Sequence, residues 1–120
     1  GGWDVNESSV VVLMRFREFE GLFTGDIGAD VEGRLVRAGL VADLAYLKAA
    51  HHGSGFSSSW EFLEAAQPEV VTIGVGDGNS YGHPHPDTLS RLDDVGAKVM
   101  RTDIDGSIVI WSDGERWWVE

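Results

Sequence analysis

The chain contains no cysteine, which excludes disulfides and thiolate metal sites while leaving the cellular compartment open. It has no apolar run of about 18 residues, the length a membrane-crossing helix needs. Nor does it show the charged-then-apolar pattern of a secretory signal. Basic residues are scarce: 9 Lys and Arg stand against 20 Asp and Glu, for a formal net charge of −11. A module that reads DNA unaided normally carries a basic face, and this composition argues against one. An acidic domain can still handle a phosphodiester where metal ions supply positive charge locally. The charge therefore favours a metal enzyme, a solvated surface or a docking domain over a DNA reader. No internal repeat or low-complexity linker is evident, and 120 residues make one small domain with room for a real core.

With 42% hydrophobic residues, 16 glycines and five tryptophans, the chain has the composition of a folded protein. Ser9–Phe16 (S-V-V-V-L-M-R-F) is a nearly continuous apolar run and is expected to form a buried strand. A turn over Glu18–Gly21 and a strand at Leu22–Thr24 would complete a hairpin. Val31, Leu35 and Val36 lie at helical spacing within Ala29–Ala38, and Gly39 follows as a stop. A third strand is expected at Leu44–Ala50. A helix capped by Ser58 or Ser59 should run to Ala66, with Trp60, Leu63 and Ala66 on its apolar side. Val70–Val75 reads as a fourth strand, and Asp87–Val95 as a helix begun near Pro86. Three short strands at Ala97–Arg101, Ser107–Trp111 and Arg116–Val119 close the chain, the last two joined at Asp113-Gly114. The alternation predicts an α/β fold, a mixed β-sheet with helices packed on it.

Four polar clusters follow expected strands: Asp26, His51 and His52, His83 and His85, and Asp103 and Asp105. Asp26 sits in T-G-D-I-G, a tight loop between two glycines. Successive strand side chains point to opposite faces, so His51 and His52 cannot aim the same way while the strand stays regular. Gly53 and Gly55 behind them permit a sharp turn and close backbone approach to a ligand. His83 and His85 flank Pro84, and an extended H-P-H places both rings on one side. Carboxylate and imidazole without sulfur suit zinc, manganese or iron. A metal site here would use Asp26 and one histidine of the pair. Taken singly, Asp26 in G-D-x-G and the two aspartates of T-D-I-D-G also suit turns, and the acidic helix faces read as solvated surface.

The stretches N-E-S-S-V-V-V-L, L-F-T-G-D-I, L-K-A-A-H-H-G-S, Y-G-H-P-H-P and R-T-D-I-D-G occur in that order. Together they resemble the C-terminal half of the metallo-β-lactamase-like domain of the ComEC family, the membrane channel proteins for DNA uptake in competent bacteria. The resemblance implies an αββα sandwich, of which residues 1–120 would be a single half-domain. It implies two divalent metals, zinc or manganese, in the complete domain, with Asp26 bridging them. His52 is the favoured late ligand, with His51 the runner-up or a substrate-facing partner. His83 and His85 would line the cleft and donate to phosphate. The implied activity is metal-dependent hydrolysis of DNA, at the extracytoplasmic face of a membrane protein. The partners would be DNA and the remainder of the channel. Another small phosphodiester on the same fold, or a non-catalytic docking module, are the alternatives.

The family's H-x-H-x-D-H run is absent, since none of the four histidines precedes His51. One carboxylate and one histidine fall short of the three protein ligands that a catalytic zinc normally keeps. The chain thus reads as a fragment, or as a divergent half-domain, of such an enzyme, expected to be inactive alone and to self-associate through exposed apolar surface. In the complete domain, Asp26→Asn and His52→Ala should each abolish metal-dependent DNA cleavage, and His51→Ala should cost less. Metal content measured on the three variants checks the assignment; a greater metal loss in His51→Ala reverses it within the pair.

Overall fold

A computed structural model describes residues 10–25, 27–49, 58–75 and 84–120. A hairpin of β1 (Val12–Phe16) and β2 (Phe19–Phe23) opens the fold, with Phe16 opposite Phe19. There follow α1 (Ala29–Arg37), β3 (Tyr46–Lys48), α2 (Trp60–Ala66), β4 (Val70–Ile73), α3 (Pro86–Asp94) and β5 (Lys98–Arg101). A short helix α4 (Thr102–Asp105) and a second hairpin, β6 (Ile110–Ser112) with β7 (Trp117–Val119), complete it.

The main sheet has the order β1-β2-β3-β4-β5, antiparallel between β1 and β2 and parallel thereafter. The fold is α/β with a mixed sheet, as the alternation of patterns predicts. Each parallel pair is joined through a helix. Such crossovers are right-handed in nearly all proteins, so three of them advancing in one direction place α1, α2 and α3 on the same face. The core agrees with that placement. Leu22, Leu47, Val71 and Ile73 point from the strands toward Phe62, Leu63 and Ala66 of α2 and Leu92 of α3.

The other face carries Met14, Phe16, Phe19, Phe23, Tyr46 and Thr72. Among the described residues the β6–β7 side of the molecule lies against it, through Ile108, Ile110 and Ser112, and an open groove of about 570 Å³ remains between them. Gly21 belongs to this face. A Cβ there would meet Tyr46 Cδ1 at 3.2 Å, so glycine lets the Tyr46 ring lie close over β2, edge-on to Phe23 at 5.5 Å between centroids. Gly114 (φ +99) fills a comparable role at the tip of the second hairpin. A Cβ there would meet Arg17 Cδ at 2.7 Å, and Gly114 O accepts a hydrogen bond from Glu18 N at 2.7 Å.

Several boundaries and orientations differ from the sequence expectation. Ser9–Phe16 was expected to be buried. Its described strand, Val12–Phe16, is exposed at all five positions because β1 is an edge strand with no helix over it among the described residues. The turn falls at Arg17–Glu18, and β2 begins at Phe19 rather than Leu22. The third strand is limited to Tyr46–Lys48, and the two last strands form their own sheet rather than joining the first. In α2, Ser59 is the N-cap, its hydroxyl accepting from Phe62 N at 3.4 Å. Its first turn buries Phe62, 1% exposed, together with Leu63, whereas Trp60 is 46% exposed. Phe62 and Ala66, four apart, share the inward stripe. Truncating Phe62→Ala should therefore cost about 3–5 kcal/mol, and Trp60→Ala about 0.5 kcal/mol or less. Urea unfolding of the two variants, compared at equal slope, measures the difference.

Candidate functional site

Because β2, β3, β4 and β5 are parallel neighbours, their carboxyl ends lie along one edge of the sheet. In the ladder, Phe23 is opposite Lys48, Lys48 opposite Thr72, and Thr72 opposite Met100. Every polar cluster singled out in the sequence follows one of these ends. Asp26 comes after β2, His51 and His52 after β3, His83 and His85 after β4, and Asp103 and Asp105 after β5. Ligands in open α/β sheets bind outside the carboxyl ends of the strands. Asp26, His51, His52 and His83 lie outside the described residues; His85, Asp103 and Asp105 lie within them.

Two threonines tie this edge together. Thr24, 1% exposed, donates from Oγ1 to the Lys48 carbonyl at 2.7 Å. That bond fixes the exit of β2 to the exit of β3, beside the Ala49 N–H that donates to Thr72 O at 3.0 Å. Thr102 does the same on the other side, its Oγ1 accepting from Val75 N at 2.7 Å and lying 2.9 Å from Val75 O. Tyr46 and Thr72 share a hydroxyl–hydroxyl bond across the middle strands. Burial pushes the Tyr46 phenol up, and the bond from Thr72 offsets this in part.

His85 is exposed and serves as the N-cap of α3, its Nδ1 accepting from Asp87 N at 3.1 Å. A ring nitrogen that accepts a backbone N–H carries no proton, so the neutral ring holds its proton on Nε2. His85 thus presents a donor outward. Asp103 and Asp105 are held locally. Asp103 forms a two-pronged pair with Arg101, at 3.0 Å to Nε and 2.6 Å to the terminal nitrogen, and Asp105 Oδ2 accepts from Arg101 N at 2.8 Å. The Arg101 hydrogen bond holds the Asp103 carboxyl below its ordinary value. Both aspartates lie in the single helical turn Thr102–Asp105, within the T-D-I-D-G stretch that suits a turn.

Among the described residues no group of three or more His, Cys, Asp or Glu side chains comes together as a metal site would require. Carboxylate and imidazole, the donor types at positions 26 and 52, suit a divalent metal in their chemistry, and two such donors fall short of the three protein ligands that a catalytic zinc normally keeps.

One functional candidate escaped the sequence reading. Glu32 on α1 is 0% exposed, although the acidic helix faces were expected to be solvated. Its Oε2 accepts from Ser58 N at 2.7 Å and its Oε1 from Ser59 N at 3.0 Å. Arg91 on α3 donates from Nε to the Ser58 carbonyl at 2.9 Å. Three elements thus meet at the point where the segment carrying His51 and His52 enters α2. The signal lay in the spacing, because Glu32 stands three and four residues before Leu35 and Val36 and so shares their inward stripe.

Open α/β sheets as a class take their ligands outside the carboxyl ends of the strands, the edge that the polar segments of this chain follow in sequence. No family model matches the chain. It is homologous to competence and recombination proteins of bacteria. It is 35% identical over 105 residues, 86% of this chain, to ComE operon protein 3 of Bacillus subtilis. It is 37% identical over 90 residues, 72% of this chain, to competence protein ComA of Neisseria gonorrhoeae. To recombination protein 2 of Haemophilus influenzae it is 29% identical over 103 residues. In each case the chain spans 13% of the relative's length.

Burial pushes the Glu32 carboxyl above its ordinary value of 4.5, outweighing the two backbone hydrogen bonds and Arg91, which pull it down. A carboxyl raised on folding is best tolerated when protonated, so its contribution is fully present below 4.5 and is lost as pH rises through the folded value. The stability of the wild type relative to Glu32→Gln should therefore increase as pH falls from 7 toward about 4. Unfolding both proteins across that range reads the sign; a difference that stays flat shows an unshifted carboxyl.

Proposed function

We propose that this chain is the part of a metal-dependent phosphodiester hydrolase that supplies one half of the active site, acting on DNA during competence DNA uptake. The observation that carries the reading is the single sheet edge past which Asp26, His51, His52, His83 and His85 all follow parallel strands. The names of the relatives support the competence role. Asp26 and His52 are the residues that would hold metal, with His51, His83 and His85 facing substrate. A divalent ion bound there would supply positive charge against phosphate and activate water for attack on phosphorus. His85 contributes the proton on Nε2, available to a phosphate oxygen. The net charge of −11 fits this division of labour, because metal rather than a basic surface would draw the substrate.

The apolar face of Met14, Phe16, Phe23 and Tyr46 supports a further layer. Largely parallel sheets are stable with both faces covered, and here one is covered by helices and the other only in part. The remainder of the parent protein, carrying the other ligands, would pack on that face as the second half of an αββα sandwich. No helix among the described residues is long and apolar enough to cross a membrane, so a membrane anchor in the parent would lie elsewhere, with this domain at the extracytoplasmic face.

Alone, the 120-residue chain should fold, scatter light as a self-associated species, and leave a labelled DNA substrate intact in manganese or zinc. The complete parent protein should cut the same DNA only with metal and lose the activity in Asp26→Asn. Cleavage by the isolated chain, abolished by Asp26→Asn, would show that the half-site suffices. A parent protein inert toward DNA but active on a small phosphodiester would move the substrate class, and one inert toward both would make this a docking module.

A further inference from the structure

A carboxylate buried on a small helix is costly unless something needs it there. Glu32 does not cap its own helix and bonds to none of its residues through the side chain. It spends both oxygens on the consecutive N–H groups of Ser58 and Ser59. Helix capping alone does not require this, because the Ser59 hydroxyl already serves as the N-cap of α2. Glu32 acts one residue further out, on the last step before the helix.

That step is unusual in its backbone. Ser58 has φ +55, a left-handed conformation that residues with a Cβ adopt reluctantly. It is 1% exposed, and its hydroxyl has no hydrogen-bond partner among the described residues. Neither the side chain nor the intrinsic preference of serine holds it in place. The grip comes from outside, from Glu32 on its N–H and Arg91 on its carbonyl. Arg91 in turn is braced by Thr88, whose Oγ1 accepts from it at 3.2 Å. At the other end of the same connection, Lys48 is tied by Thr24 and Ala49 by Thr72. The connection that carries both central histidines therefore leaves from one fixed point, at Lys48 and Ala49, and ends at another, at Ser58, where a buried carboxyl group holds the backbone.

We infer that Glu32 is a positioning residue that sets the backbone of Ser58 and Ser59, and through it the exit of the histidine-bearing connection into α2. The role rests on the reading of that connection as part of a metal site. Outer partners that orient metal ligands commonly change affinity by about 10–100-fold when removed, and an effect of that size is expected here.

The test uses the intact parent protein and three variants, Glu32→Gln, Ser58→Gly and the double change. Glu32→Gln should speed amide exchange at Ser58 and Ser59 while leaving β4 protected. It should weaken manganese binding about 10–100-fold and lower kcat for DNA cleavage with KM little changed. Ser58→Gly in the Glu32→Gln background should restore most of the manganese affinity, because glycine takes a positive φ without strain. A residue that merely packs α1 against α2 would shift the unfolding midpoint, and glycine would not rescue it. Glu32→Gln with lowered stability but wild-type manganese affinity and kcat would overturn the positioning role alone. A wild type that neither binds manganese nor cuts DNA would overturn the site reading and the role together.

Discussion

Four parallel strands laid down in chain order, each beside the last, leave little freedom in where the helices go. Every crossover has the same hand and moves in the same direction, so the helices collect on one side. The core follows from this. Leu22, Leu47 and Val71 look toward α1, α2 and α3, and the alternate residues of the same strands look away from them. The functional edge follows too, since strands that run the same way end in the same place. One topological choice thus yields a covered face, an uncovered face and a common rim for the polar connections.

The rim is held by small polar groups rather than by the apolar core. Thr24 and Thr102 lock strand exits to their neighbours through backbone carbonyl and amide groups, and Glu32 and Arg91 do the same for the entry to α2. The polar anchors stand at the borders of the candidate site, where backbone leaves the sheet and loses its ladder partners. A buried backbone group without a partner is expensive, and side chains with oxygen at the right height replace the missing strand. The chemistry that keeps the fold satisfied at this edge also fixes the starting points of the connections that would do the work.

Much of the element order was legible in the sequence because local rules carry it. Ser59 as a cap, Pro86 at the first turn of α3 and Asp113-Gly114 in the hairpin turn are all local chemistry. What the sequence hid depends on neighbours. The apolar run before Phe16 reads as buried because apolar runs usually are, yet its exposure is decided by β1 standing at the edge of the sheet, with no further strand or covering helix beside it among the described residues. Glu32 reads as surface because carboxylates usually are, and its burial depends on the amide groups of Ser58 and Ser59, just ahead of a different helix. The candidate site divides along the same line. The strand ends that bring its segments to one edge could be read from pattern. The ion pair that ties Asp103 to Arg101 and the use of His85 Nδ1 as a helix cap required coordinates.

The contact between Gly114 and the turn at Arg17 and Glu18 has a consequence for the order of synthesis. That turn is among the earlier parts of the described fold to leave a ribosome, and its backbone partner follows almost at the end. At about 5–20 residues per second, the intervening chain takes about 5–20 s to make. Until β3 emerges to pair with β2, Phe16, Phe19 and Phe23 stand on a two-stranded ribbon, which is marginally stable by itself, and for the rest of the interval they lack the cover of the β6–β7 side. Nascent chains of this protein therefore pass through a stage, set by the distance between Glu18 and Gly114 along the chain, in which a sticky aromatic hairpin waits for its lid and is open to capture by chaperones.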